Sequence, residues 1–340
     1  MKPTDWNPGK LLALSGHYWK TGTLHAAVKL DVFSAIGDKT VPVDQIAREL
    51  NCDQRGVERL LNALAAMGLL VKEDGRFANT SAGRAFLCRE SPQYLGYIML
   101  HHHQLVDSWV HLDQAVSSGK PVRGRISGRG EQWRENFLMG MFNMAMNLAP
   151  LIVPQIDISD RKHLLDLGGG PGTYAIHFCR ANPELTATVF DFQTTRPFAE
   201  KTISRFDLSH RIAFRPGNFL DDDIGSGYDV AWLSHILHGE GPKECRRILR
   251  KTVKALTGGG QVIIHDFILD DSMDRPLFPA LFSLNMLLGT PSGQAYSEGQ
   301  LRKMLEEAGA QQIRRIAFDS PNDSGILIGT VSSSKVDPDR

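Results

Sequence analysis

Leu164-Leu165-Asp166-Leu167-Gly168-Gly169-Gly170-Pro171-Gly172 sets a short apolar run against a cluster of glycines, with a helical pattern following. Strand, glycine-rich turn and helix in that order open a βαβ unit. In such a sheet ligands sit beyond the carboxyl ends of the strands, and glycine lets the backbone come close to them. Two details narrow the ligand. A dinucleotide fingerprint would need glycine at position 173, which is Thr173. Asp166 lies two residues before the first glycine, where a carboxylate is unfavourable beside a pyrophosphate. It is favourable beside the ammonium and sulfonium of S-adenosylmethionine.

Downstream of the turn the same logic repeats. Asp191 ends the next strand in TVFDF, nineteen residues beyond Gly172, where a carboxylate can accept both ribose hydroxyls. Asn218 follows a third, weaker run and can pair with the adenine edge. Apolar runs at 163–167, 185–190, 212–215, 229–234 and 261–268 alternate with helical patterns, which predicts a parallel sheet covered on both faces. Ser297 with Gln300 forms a capping box opening a late helix. The runs 312–318 and 325–331 have only a loop between them, so they must pair antiparallel and reverse the last strand.

Upstream the texture is different. Two short amphipathic helices within 43–64 flank a turn at Asn51-Cys52-Asp53, and GLLVKEDGRFANT makes a hairpin around Asp74-Gly75. That order is a winged-helix pattern. Its charges give no positive excess (Asp44, Glu49, Asp53 and Glu58 against Arg48, Arg55 and Arg59), whereas a groove-entering helix sits in a positive field. A dimerisation role is therefore expected, and no nucleic-acid partner. The division expected is 1–105 for this domain and 106–340 for the sheet domain, with a helical linker and acceptor-pocket segment over about 106–160. The basic loop at 119–130, with Lys120, Arg123, Arg125 and Arg129, reads as solvated.

Over the 340 residues, 38 Lys and Arg balance 38 Asp and Glu, which removes any electrostatic default toward nucleic acid or anionic membrane. Cys52, Cys88, Cys179 and Cys245 are scattered, against both a disulfide framework and a zinc ribbon. The N-terminal residues lack the apolar core of a signal peptide, and the most apolar stretch noted, 277–288, is too short to span a bilayer. A cytoplasmic protein without a membrane partner is expected.

Taken together, LLDLGGGPGTYA, VFDF, RPGNF, SHILHGEGPKECRRIL, GGGQVIIHDFIL and GQAYSEGQL resemble the class I S-adenosylmethionine-dependent O-methyltransferases with an N-terminal winged-helix dimerisation domain. That family includes caffeic acid, acetylserotonin and hydroxyneurosporene O-methyltransferases. The resemblance covers residues 10–332 in order. It implies a Rossmann-like seven-stranded sheet with a reversed last strand, and a homodimer whose N-terminal segment closes the partner's acceptor pocket. It implies that Gly168, Gly170 and Asp191 hold the amino-acid and ribose portions of the cofactor, with Asn218 and Phe219 flanking adenine. It makes His238 the general base, Asp266 the acid that orients it, Met286 a pocket residue, and Phe142, Asn143 and Met146 its companions. Three departures stand out. Many relatives have His-Asp-Trp where this chain has His238-Gly239-Glu240. Ser234, counted with the cofactor-binding positions, replaces a frequent lysine, and Ala295 replaces a glutamate near the base.

The chemistry explains a histidine there. A phenol of pKa ~10 is only about one part in a thousand ionised at pH 7, a deficit of about 4 kcal/mol for attack on a sulfonium methyl. A neutral imidazole can take the proton during attack, and a carboxylate at the next strand end fixes its tautomer. His235 is the natural decoy, and His265 should point to the opposite side of its strand from Asp266. His101-His102-His103 on a helix fan too far apart to converge on one ion, and no metal is expected. The leading expectation is methyl transfer to a phenolic hydroxyl of a small metabolite, leaving S-adenosylhomocysteine. The alternatives are C- or N-methylation, a repurposed cofactor site, or a winged-helix regulator without chemistry.

Overall fold

The computed structural model describes residues 5–124, 130–318 and 320–332. They divide into two compact units, one of residues 1–106 with 135–143, the other of 107–134 with 144–340. Arg125 and Arg129 of the basic loop lie outside the described residues.

The first unit contains α1 (Pro8–Ser15), α2 (Tyr18–Lys29), α3 (Val32–Ile36), β1 (Val41–Pro42), α4 (Val43–Glu49), α5 (Gln54–Ala66), β2 (Leu70–Glu73), β3 (Arg76–Asn79), α6 (Ser81–Leu87) and most of α7 (Gly96–Trp109). Helix α5 begins where Asp53 accepts a hydrogen bond from the Gly56 N–H, and its Val57, Leu61 and Leu64 fall on one buried face. The hairpin turns at Asp74-Gly75, both with positive φ, and β1 adds to β3 as a third strand. Phe33, Ile36, Ile46, Leu61 and Phe77 fill one core.

The second unit follows with α8 (Leu112–Ser118), α9 (Glu131–Ile152), β4 (His163–Leu167), α10 (Thr173–Ala181), β5 (Thr186–Asp191), α11 (Arg196–Arg205), β6 (Ile212–Pro216), β7 (Tyr228–Ser234), α12 (Pro242–Ala255), β8 (Leu256–Leu269), α13 (Leu277–Gly289), β9 (Tyr296–Ser297), α14 (Glu298–Glu307), β10 (Ala310–Ile316) and β11 (Ser324–Val331). Residues 135–143 in the middle of α9 belong to the first unit. The main sheet runs β6-β5-β4-β7-β8-β11-β10, with the two-residue β9 on β8. Strands β4 to β8 are parallel, and β11 is antiparallel to both neighbours. The strand alternation sorts side chains between two cores. Leu164, Ile263 and Ile326 face α10 and α11, while Leu165, Ile264 and Leu327 face α12 and α14.

Two expectations shift. Strand β8 starts at Leu256 rather than 261, taking in Gly258-Gly259-Gly260, because Gly259 adopts φ +80° and the ladder with β7 slips between Tyr228 and Val230. The segment Glu131–Gln155 is long and apolar enough to cross a membrane, unlike the shorter 277–288 stretch. It buries Leu138, Phe142, Leu148, Ala149 and Ile152 in protein, as a core helix does.

Candidate active site

Strand β4 runs straight into the glycine turn. Gly168 takes φ +68°, and a Cβ there would lie 2.5 Å from Ile236 Cγ2. A Cβ on Gly169 would come within 2.6 Å of the Asp166 carboxylate carbon. The turn is therefore glycine because nothing larger fits. Asp166 is 1% exposed; its Oδ2 accepts from the Ala175 N–H at 3.3 Å, and its Oδ1 has no partner. Burial pushes its carboxyl up to about 7, assisted by the Asp191 charge and opposed by the Ala175 N–H. The Thr173 hydroxyl, at the start of α10, is also buried without a partner. Buried groups left like this cost stability unless a ligand satisfies them, and a cation fits the carboxylate.

Asp191 ends β5, the strand next to β4. Its Oδ2 accepts from the Gly170 N–H at 2.8 Å, and its Oδ1 from the Phe192 N–H at 2.6 Å and the Thr195 hydroxyl at 3.2 Å. Burial raises its carboxyl, and these three bonds offset part of that rise. Phe219 approaches the same turn, 3.6 Å from where a Gly168 Cβ would stand, with its ring 6.2 Å from that of Phe192. Asp166, Gly168, Gly170, Asp191 and Phe219 thus converge, and they suit the ammonium, ribose and adenine portions of S-adenosylmethionine.

Asn218 and Ser234 differ from that group. The Asn218 amide donates to Asp221 at 2.9 Å and accepts from the Leu220 N–H at 3.0 Å, which holds the side chain against its own turn. The Ser234 hydroxyl lies 2.9 Å from His265 Nδ1. Each keeps some capacity beyond these bonds, a second amide N–H on Asn218 and a lone pair on the Ser234 oxygen.

The other half of the rim is built on β7 and β8. His238 sits in the single helical turn after β7, and its Nδ1 lies 2.6 Å from Asp266 Oδ1. Asp266 is 3% exposed, near the end of β8. Burial pushes its carboxyl up, but the His238 charge and hydrogen bond, with the His235 imidazole close by, outweigh that and hold it well below the carboxylate range. The Phe267 N–H adds a bond at 2.8 Å. His265 points the other way. It is fully buried, bonded to Ser234 and Ser324 at 2.9 Å each, and stacked on Trp232. Burial holds it neutral, far below the ordinary imidazole value.

Of three aromatic residues here, Phe278 and Phe282 lie outside the motifs. Phe282 meets the His238 ring edge-on at 4.7 Å, Phe267 packs on Phe282 at 4.6 Å, and Phe278 on Phe267 at 4.9 Å. The usable signal was the i, i+4 spacing of Phe278 and Phe282 on α13. Phe192 was missed although it stands beside Asp191 in the quoted VFDF. Met286 is buried on α13, and Met146 is half-buried on α9. Phe142 and Asn143, also buried, belong to the first unit. His235 was set aside as a decoy, yet its Nδ1 lies 3.5 Å from the same Asp266 oxygen. The donor atoms of His235, His238 and Asp266 all lie within 4.8 Å of one another, close enough to hold an ion as well as a proton. The three consecutive histidines on α7 do fan apart: His101 packs on Phe137 at 5.2 Å, His103 faces His25 at 5.6 Å, and His102 is exposed.

Comparison with known proteins identifies both parts of the chain. Residues 109–311 match the O-methyltransferase domain model, and residues 12–89 the O-methyltransferase dimerisation domain. The chain is 32% identical to 3-hydroxy-5-methyl-1-naphthoate 3-O-methyltransferase of Streptomyces sahachiroi, over 96% of each chain. It is 30% identical to L-tyrosine C(3)-methyltransferase of Streptomyces lavendulae, over 90% of this chain and 88% of that one. PigF, an S-adenosyl-L-methionine-dependent methyl transferase of Serratia sp., solved with S-adenosylhomocysteine, superposes with a TM-score of 0.87 at 26% identity, covering 96% of this chain and all of that one. With the family models spanning both units, the chain belongs to the S-adenosylmethionine-dependent O-methyltransferase family.

Proposed function

We propose that this enzyme methylates a phenolic hydroxyl of a small aromatic metabolite, with His238 as general base and Asp266 as the residue that orients it. The observation carrying this reading is the 2.6 Å bond between His238 Nδ1 and the buried Asp266 carboxylate. With Nδ1–H donated to Asp266, the lone pair of Nε2 is left to accept the hydroxyl proton. The ionised carboxylate then stabilises the imidazolium that forms. Asp166, Gly168, Gly170, Asp191 and Phe219 would hold the cofactor, which supplies an electrophilic methyl on sulfonium sulfur. Phe267, Phe278 and Phe282 keep water from the base and favour a flat aromatic acceptor.

The test is His238→Ala. S-adenosylhomocysteine affinity should stay within about twofold, while turnover falls about 10²–10⁴-fold. Unchanged turnover in a labelled-methyl assay over a panel of phenols would remove the base assignment. A second reading, methylation at carbon, draws on the Streptomyces lavendulae relative and on Ala295 standing where an acid is frequent. The position of the labelled methyl in the product separates the two.

We further infer a homodimer formed through the N-terminal unit. Helix α1 buries none of its residues, and Leu12, Tyr18 and Trp19 are 74%, 69% and 69% exposed, an apolar surface that a second copy would cover. The balanced charge of α4 and α5 supports this role over duplex binding. The four unpaired cysteines, three of them buried, fit a reducing, cytoplasmic setting.

A further inference from the structure

We infer that Lys251 is a positioning residue for the cofactor, acting through the loop 218–222. Helix α12 carries Lys251 two turns beyond its start, and its Nζ donates to the carbonyl oxygens of Phe219 at 2.9 Å, Leu220 at 3.2 Å and Asp222 at 2.5 Å. An ammonium has three donors, and all three are spent on main chain. The acidic side chains of the loop are engaged elsewhere. Asp221 pairs with Arg247 at 3.2 Å and takes the Asn218 amide, and Asp222 takes the Asn218 N–H at 2.8 Å. Lys251 therefore fixes the path of the backbone rather than neutralising a carboxylate.

That path sets where Phe219 stands. Its ring faces Gly168 and Phe192, so a loop free to shift would open the side of the cradle assigned to adenine. Charge-assisted bonds to carbonyls are stronger than neutral ones, and three of them converge on one nitrogen. A planar guanidinium spreads its donors and cannot match that convergence. The inference rests on the reading of the glycine turn as the cofactor cradle.

The experiment is calorimetric titration of the full-length protein with S-adenosylhomocysteine, comparing Lys251→Met, Lys251→Arg and the cradle control Asp191→Asn. Lys251→Met should weaken binding about tenfold or more, the loss of charged hydrogen bonds. KM for S-adenosylmethionine should rise to match, with kcat held within about twofold, the reverse of His238→Ala. Amide exchange over 219–222 should accelerate in the same variant, and Lys251→Arg should restore only part of the affinity. Weakened binding in Asp191→Asn with none in Lys251→Met overturns the role of Lys251. No weakening in either overturns the cradle itself. Should Lys251→Met fail to fold, Lys251→Gln serves, and wild-type affinity there again overturns the inference.

Discussion

Asp166 and Asp266 are two buried carboxylates at the same end of one sheet, separated by β7, and the protein drives them in opposite directions. Burial raises both. Asp166 has one long backbone bond and an oxygen without a partner, so its carboxyl rises to about 7. Asp266 has two imidazoles beside it, His238 foremost, and they pull it well below the ordinary range. The lesson is that strand-end burial sets no role by itself; the partners do. On the reading proposed above, one carboxylate would await a cation that arrives with the ligand, and the other would stabilise a cation that forms during the reaction.

The hardest blow to that contrast is Asp266→Asn. The amide keeps the shape but can hold His238 in the wrong tautomer and offers no charge to the imidazolium. Turnover should fall about 10²–10⁴-fold with S-adenosylhomocysteine affinity nearly intact, read by single-turnover kinetics and calorimetry. A mild loss would mean that Asp266 only shapes the loop.

A smaller effect comes from Asp166. Its carboxyl titrates near 7 in the free protein, so below that pH the cationic amino group of the ligand meets a neutral acid. Affinity for S-adenosylhomocysteine should weaken by up to about tenfold per pH unit between 7 and 5.5, and Asp166→Asn should be weaker throughout and flat over that window. The sign for stability is opposite. A carboxyl whose folded value is raised contributes stability below its unfolded value, near 3.8, and loses it as pH rises through about 7. Ligand-free Asp166→Asn should therefore melt above the unsubstituted protein at pH 8. Equal melting points and parallel pH profiles would show Asp166 to be an ordinary capped carboxylate.

The two halves of the rim were not equally legible in the sequence. The cofactor half is made of backbone turns and strand ends, whose residue types are forced locally: Gly168 and Gly169 by contacts a side chain would violate, Asp166 and Asp191 by their place at the ends of β4 and β5. Local rules are enough to bring these side chains to one turn. Asn218 is less decided by local rules, because an asparagine after a strand serves a turn as readily as a ligand, and here it bonds Asp221 and the Leu220 N–H. The base half depends on packing between distant segments. Phe282 comes to His238 and Phe278 to Phe267 only because α13 lies against β8; their i, i+4 spacing marks a shared helix face but not what that face meets. The sheet order was legible for a related reason: the alternation of strands and helices, and the helix-free link before the last strand, leave few ways to lay it out.

His235 carries the smallest and sharpest prediction. Its Nδ1 is in ion-pair range of Asp266 Oδ1 but forms no directed hydrogen bond, and that oxygen already serves His238 at 2.6 Å and the Phe267 N–H at 2.8 Å. Its backbone takes φ +55°, pinned by an N–H bond to the His265 carbonyl, and its ring is clamped between Phe267 at 4.4 Å and His265 at 4.5 Å. Asparagine tolerates the left-handed region better than most residues, so His235→Asn removes the imidazole without adding backbone strain. Turnover should drop less than about fivefold, the worth of a misaligned contact under about 1 kcal/mol. A loss as deep as that of Asp266→Asn would mean that the carboxylate works through both imidazoles. The second histidine would then do for His238 what the acid missing at Ala295 does elsewhere in the family.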